Sequence, residues 1–109
     1  MSEDKNRVRA LNDDFRSALV VGSAIITTGI AALGGEKVER LVRVIATFNE
    51  FCSEDDPYGE HDFGAFDFDG TKVMFKINYL NKEIESDFGN PADSSQAERV
   101  ITVMLAEEY

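Results

Sequence analysis

Apolar residues at Val8, Leu11, Phe15 and Leu19 recur at helical spacing between charged positions, which predicts an amphipathic helix over residues 5–20. A second helical period, Val38, Leu41, Val42, Ile45 and Phe48, predicts a helix over 36–50. Glu36 near its start and Arg43 further on complement the helix dipole. Between them Ser23–Thr28 is dense in Ile and Thr and reads as a buried strand. The period then changes to two around Asp69-Gly70. A two-residue turn with positive φ there sets Phe68 opposite Thr71, Asp67 opposite Lys72, Phe66 opposite Val73 and Gly64 opposite Phe75. In that register Phe66, Val73, Phe75, Ile77 and Tyr79 share the core face, and Asp67 with Lys72 forms an ion pair on the wet face. Residues 82–87 are compatible with a short third strand. After Asn90-Pro91, residues 93–107 read as a last helix, with Asp93 or Ser94 as N-cap and Ala97, Val100, Ile101, Met104 and Leu105 facing inward. The order α-β-α-β-β-α predicts an α+β two-layer domain, a small antiparallel sheet packed on helices. At 109 residues the chain is expected to form one domain over 1–109.

One stretch tests that picture. Ser17–Gly35 is nineteen residues without a charge, close to the ~20 of a membrane helix. Gly22, Gly29, Gly34 and Gly35 interrupt it, and its Val/Ile/Thr density favours a strand between turns, so no membrane association is expected. No signal peptide is evident at Met1-Ser2-Glu3-Asp4-Lys5. The one cysteine, Cys52, excludes an internal disulfide and fits a reducing, cytoplasmic setting; it reads as a small buried hydrophobe behind Phe48 and Phe51.

Charge is unevenly spread. Of the net −10, residues 1–43 contribute +1 and residues 44–109 contribute −11. Phosphate backbones and anionic membranes repel such a chain, so neither direct nucleic-acid binding nor membrane binding is expected. Basic protein surfaces are its natural complement.

The acidic charge peaks in Glu54–Gly64, where five carboxylates surround the only histidine. Glu60 and Asp62 flank His61 and are expected to raise its pKa. As chemistry, His61 with Glu60 and Asp62 would be an acid/base unit, or a metal site completed by Asp55 or Asp56. As structure, His61 would enter the first hairpin strand opposite Asn78 and pin the loop. Other motifs fail. Gly29–Gly34 has phosphate-loop spacing, but Gly35-Glu36 replaces the Lys-Ser/Thr pair. Counted from Asp55, a calcium loop would put Pro57 at a ligand position and Gly64 where a bidentate carboxylate belongs. One His and one Cys do not make a structural zinc site. No metal or cofactor is therefore expected. The loop carboxylates Glu54, Asp55, Asp56, Glu60 and Asp62, with Tyr58 as an aromatic anchor, are the expected partner-binding surface.

The run Asp56-Pro57-Tyr58-Gly59-Glu60-His61-Asp62-Phe63-Gly64 resembles the signature of an uncharacterised family of small proteins encoded on bacterial plasmids and other mobile elements. The resemblance extends to Leu11-Asn12-Asp13 with Phe15-Arg16, Thr28-Gly29-Ile30, Lys76-Ile77 with Tyr79, Pro91-Ala92-Asp93, and Arg99-Val100 through Glu108-Tyr109. Asn78 and Leu80 depart from the aspartate and tyrosine usual in that family, which weakens a metal role for position 78. The resemblance implies no activity. It implies a setting in which small acidic proteins blunt host restriction or CRISPR defence by occupying basic nucleic-acid channels. The leading expectation is therefore a non-enzymatic inhibitor or DNA mimic acting on a nucleic-acid-binding host protein. Two alternatives stand beside it: a small enzyme using His61, Glu60 and Asp62, and a plasmid-maintenance interaction protein, with a homodimer through an apolar patch compatible with the sequence.

Overall fold

Both helical periods become helices, α1 over Ser2–Ser17 and α3 over Gly35–Ala46, with a single turn of helix, α2, over Thr28–Ala31 between them. The computed structural model describes residues 2–52, 54, 56, 57, 59–81 and 97–109. On α3 the predicted stripe is the buried one: Val38, Leu41, Val42 and Ile45 are at most 4% exposed. On α1 the buried face is rotated from the expected one. Val8, Asn12 and Arg16, with Leu19 just past the helix end, are buried, whereas Leu11 and Phe15 are half-buried. Two polar side chains thus occupy the interior side of an otherwise ordinary amphipathic helix.

Four strands, β1 (Ala24–Ile26), β2 (Phe63–Phe68), β3 (Thr71–Asn81) and β4 (Ala97–Leu105), form one sheet in the order β1-β4-β3-β2. The hairpin β2–β3 has the predicted register, with Asp67 opposite Lys72, Phe66 opposite Val73 and Gly64 opposite Phe75. Asp69 and Gly70 both take positive φ, as a two-residue turn demands. The ion pair at this hairpin joins Asp69 to Arg40 of α3, not Asp67 to Lys72, and the Arg40 guanidinium also sits 4.9 Å from the Phe68 ring centroid.

The last predicted helix is a strand instead. β4 pairs antiparallel with β3 from Val73–Leu105 to Asn81–Ala97, and parallel with β1. The sheet is therefore mixed. Four successive β-branched residues, Val100-Ile101-Thr102-Val103, resist the helical χ1 restriction and suit a pleated surface. Their period-two pattern puts Ile101 and Val103, both fully buried, against the core. The candidate caps Asp93 and Ser94 and the candidate strand 82–87 lie outside the described residues.

β1 is shorter and more exposed than the buried strand expected over Ser23–Thr28. It lies at the sheet edge, and Ile25 is 53% exposed. The strand stops because Thr27 turns the chain: its hydroxyl oxygen accepts from the Ile30 N–H and caps α2, while donating to the Glu108 carboxylate at 2.6 Å. The α+β architecture holds. Helix residues Leu41, Val42 and Ile45 join Val73, Phe75, Ile77, Ile101 and Val103 of the sheet in one apolar core. Among the described residues, no helix is long and apolar enough to cross a membrane.

Candidate functional site

The acidic loop closes on one of its own carboxylates. Asp56 is 7% exposed, and its side chain accepts the backbone N–H groups of Glu60 at 3.0 Å and His61 at 3.2 Å. Gly59 N–H donates to the Asp56 carbonyl and Asp56 N–H to that of Cys52, two turns that bring Gly59 back to Asp56 and Asp56 back to Cys52. Gly59 and His61 both take positive φ, His61 at 58°. A non-glycine residue there is uncommon and needs surrounding contacts to hold it.

Those contacts come from α1. His61 Nδ1 lies 2.8 Å from Asp13 Oδ1, and a carboxylate only accepts, so the Nδ1 proton points at Asp13. His61 Nε2 faces Asp56 Oδ2 at 3.9 Å. The imidazole also stacks on Phe51, with ring centroids 3.9 Å apart and planes within 5°. Asp13 Oδ1 receives Arg16 Nη2 as well, at 2.8 Å. Arg16 is 3% exposed, donates Nη1 to the Phe48 carbonyl at 3.0 Å and lies 5.0 Å from the Phe51 centroid. Burial lowers its pKa, and Asp13 opposes that shift. Its Nε finds no hydrogen-bond partner among the described residues.

Asn12 ties the loop to the sheet. It is fully buried; its amide donates to the Glu60 carbonyl and to the Tyr79 hydroxyl, both at 2.9 Å, and accepts from Arg99 Nε at 2.6 Å. Burial drives the Tyr79 phenol up to about 12 and lowers the pKa of Arg99, whose guanidinium lies 5.2 Å from the Tyr79 centroid. Burial also raises the Asp62 carboxyl; the Asp56 charge adds to this, while Lys76 and His61 oppose it.

The expected surface residues therefore divide. Glu54 is exposed, Glu60 and Asp62 are half-buried, and Asp56 is interior, contrary to the solvated role expected of it. Asp55 and Tyr58 lie outside the described residues. His61 does not enter the strand opposite Asn78: β2 begins at Phe63, and Asp62 accepts the Ile77 N–H through its carbonyl at 2.8 Å. Cys52 is exposed rather than packed behind Phe48 and Phe51, whose rings meet edge-on at 4.8 Å. Among the described residues, the carboxylates that meet the imidazole are those of Asp13 and Asp56, not of the sequence neighbours Glu60 and Asp62. Asn12, Asp13, Arg16, Tyr79 and Arg99 complete the polar cluster, and their available signal was the pair of polar residues on the apolar side of the first helix. Among the described residues, no group of three His, Cys, Asp or Glu side chains is placed to hold a metal ion.

A family model described as a protein of unknown function (DUF3768) matches residues 26–108. Asn12, Asp13 and Arg16 lie before that span. No curated protein and no solved structure matches the chain.

Proposed function

The chain belongs to the DUF3768 family of proteins of unknown function, and we propose that it is a non-enzymatic interaction protein of a mobile element that inhibits a nucleic-acid-binding host defence protein, of the anti-restriction or anti-CRISPR type, by presenting carboxylates to its basic channel. The observation that carries this reading is the division of labour among the acids. Asp13 and Asp56 are engaged by His61, Arg16 and the loop backbone. Glu36, Glu39, Glu50, Glu54 and Asp67 remain exposed on a chain of net charge −10. Such a surface steers a basic partner and excludes nucleic acid from it. Plating efficiency of a targeted phage, on cells with a defined restriction or CRISPR system and expressing this chain, tests the reading. Efficiency should rise, survive His61→Asn, and fall when Glu50, Glu54 and Asp67 are neutralised together. No rise against type I, II or III restriction or Cas9- and Cascade-type effectors would refute it.

A second reading is favoured by one contact. Asp13 orients the imidazole as the carboxylate of an acid/base dyad does. Against it, the second ring nitrogen faces Asp56 and Phe51 covers one ring face. Under this reading His61→Asn abolishes the effect on the host and neutralising the exposed acids spares it.

A further inference from the structure

β2 is an edge strand, and the hydrogen-bond parity of the hairpin determines which of its groups are left over. The Ile77 N–H donates to the Asp62 carbonyl, so Gly64, Phe66 and Phe68 are the residues that bond to β3. The N–H and C=O groups of Phe63, Ala65 and Asp67 point the other way, and among the described residues they have no hydrogen-bond partner. Beside this edge, α3 and the segment after it leave a groove of about 260 Å³ lined by Val44, Thr47, Phe48, Glu50, Phe66 and Asp67. Val44 is 36% exposed there, an apolar side chain open to water on a helix whose Val38, Leu41, Val42 and Ile45 are buried.

We propose that the free edge of β2 is a docking site for an extended peptide of alternating apolar and basic residues, which adds to the sheet as a fifth strand. The main chain of the peptide would pair with Phe63, Ala65 and Asp67. Its side chains on the helix side would enter the groove against Val44, Phe48 and Phe66. Those on the other side would meet Asp67, and Glu50 lines the groove itself. Charge decides between a basic peptide and a second copy of this chain. Two copies pairing through β2 would bring two chains of net charge −10 together, with both sets of Glu50 and Asp67 at the seam. A charged residue within an edge strand guards against such self-pairing, and the same charge attracts a basic strand. The inference rests on the interaction reading and locates the contact on β2 and its groove rather than on the acidic loop.

The test uses the full chain, labelled for NMR, with the synthetic hexapeptide acetyl-(Val-Lys)3-amide as probe and acetyl-(Val-Glu)3-amide as control. The Lys probe should slow hydrogen exchange at the Phe63, Ala65 and Asp67 amides by at least about tenfold. The effect should weaken as salt is raised, and the Glu control should have none. Ala65→Pro removes an edge N–H without touching the β3 ladder and should abolish the protection. Asp67→Lys, which leaves the backbone intact, should weaken it severalfold and decides the matter if the proline variant does not fold. Unchanged exchange at these amides with millimolar probe, or protection that survives both variants, overturns the proposal. A wild-type dimer with the same amides protected overturns it in favour of a second copy. Failure of the interaction reading is distinguishable, because it appears as absent phage protection even when the probe binds. Conversely, phage protection retained by both edge variants would sink the edge proposal alone.

Discussion

Replacing Asn12 by alanine is expected to cost more than most single substitutions in this chain. The side chain is fully buried and makes three hydrogen bonds, reaching the Glu60 carbonyl, the Tyr79 hydroxyl and the Arg99 guanidinium. A neutral hydrogen bond contributes about 1 kcal/mol net, one to a charged group about 1.5–3, and an orphaned buried partner costs more than the bond was worth. Asn12→Ala should therefore destabilise by about 3–5 kcal/mol, a large share of the 5–15 kcal/mol typical of a domain. At roughly 4–8 °C per kcal/mol the melting temperature should fall by tens of degrees. Urea unfolding followed by circular dichroism measures the loss. A cycle with Tyr79→Phe isolates one arm: the two substitutions should be sub-additive, with a coupling of about 1 kcal/mol. A loss below about 1 kcal/mol for Asn12→Ala, or strict additivity in the cycle, would show that α1 is not tied to the loop and sheet through this amide.

Three further outcomes follow from packing and charge. A Cβ on Gly64 would lie 2.5 Å from Phe75 Cε2 and 3.0 Å from Phe48 Cε2, so Gly64→Ala should cost about 1–3 kcal/mol by overpacking; wild-type stability in urea would contradict the close approach. Asp56→Ala leaves the Glu60 and His61 N–H groups without their acceptor and should cost about 2–4 kcal/mol, whereas Glu54→Ala, exposed, should change the same urea midpoint little. Burial raises the Asp62 pKa in the folded state, so its stabilising contribution is complete below the unfolded pKa and is lost as pH rises through the folded one. Urea midpoints across about pH 3.5–7 should therefore fall for the wild type relative to Asp62→Asn as pH rises, and parallel profiles would refute the shift.

The hairpin was legible to the residue pair because its information is local. A two-residue turn determines the register, and a period of two determines the faces. The α3 stripe was legible for the same reason, although the helix ends at Ala46. β4 was misread because Ala97, Val100, Ile101, Met104 and Leu105 satisfy helical spacing while Arg99, Ile101, Val103 and Leu105 satisfy strand spacing. The β-branched run should have decided between them. The site was half-legible. The concentration of acids around His61 pointed to this loop, but adjacency in sequence suggested Glu60 and Asp62 as the partners of the imidazole. The described carboxylates that meet the ring are Asp13, 48 positions away, and Asp56, folded back through a turn. Neither distance leaves a local signal.

The acidic composition has two physical meanings that composition alone cannot separate. A carboxylate that accepts backbone N–H groups in the interior, as Asp56 does, adds to the fold and little to the external field. An exposed one, as at Glu50, Glu54 or Asp67, adds little to the fold, because water screens its pairings. Among the described carboxylates of residues 44–109, the charge available to a partner is therefore smaller than their number suggests, because Asp56 is turned inward. Glu50 and Asp67 both line the groove beside β2. If the proposed peptide docks there, long-range attraction and the main-chain groups of Phe63, Ala65 and Asp67, unpaired among the described residues, would act at one place, the first speeding encounter and the second providing directional bonds. A partner that used the field alone would tolerate any arrangement of the same charges. One that used the edge would tolerate charge rearrangement elsewhere but not the loss of a single outward N–H.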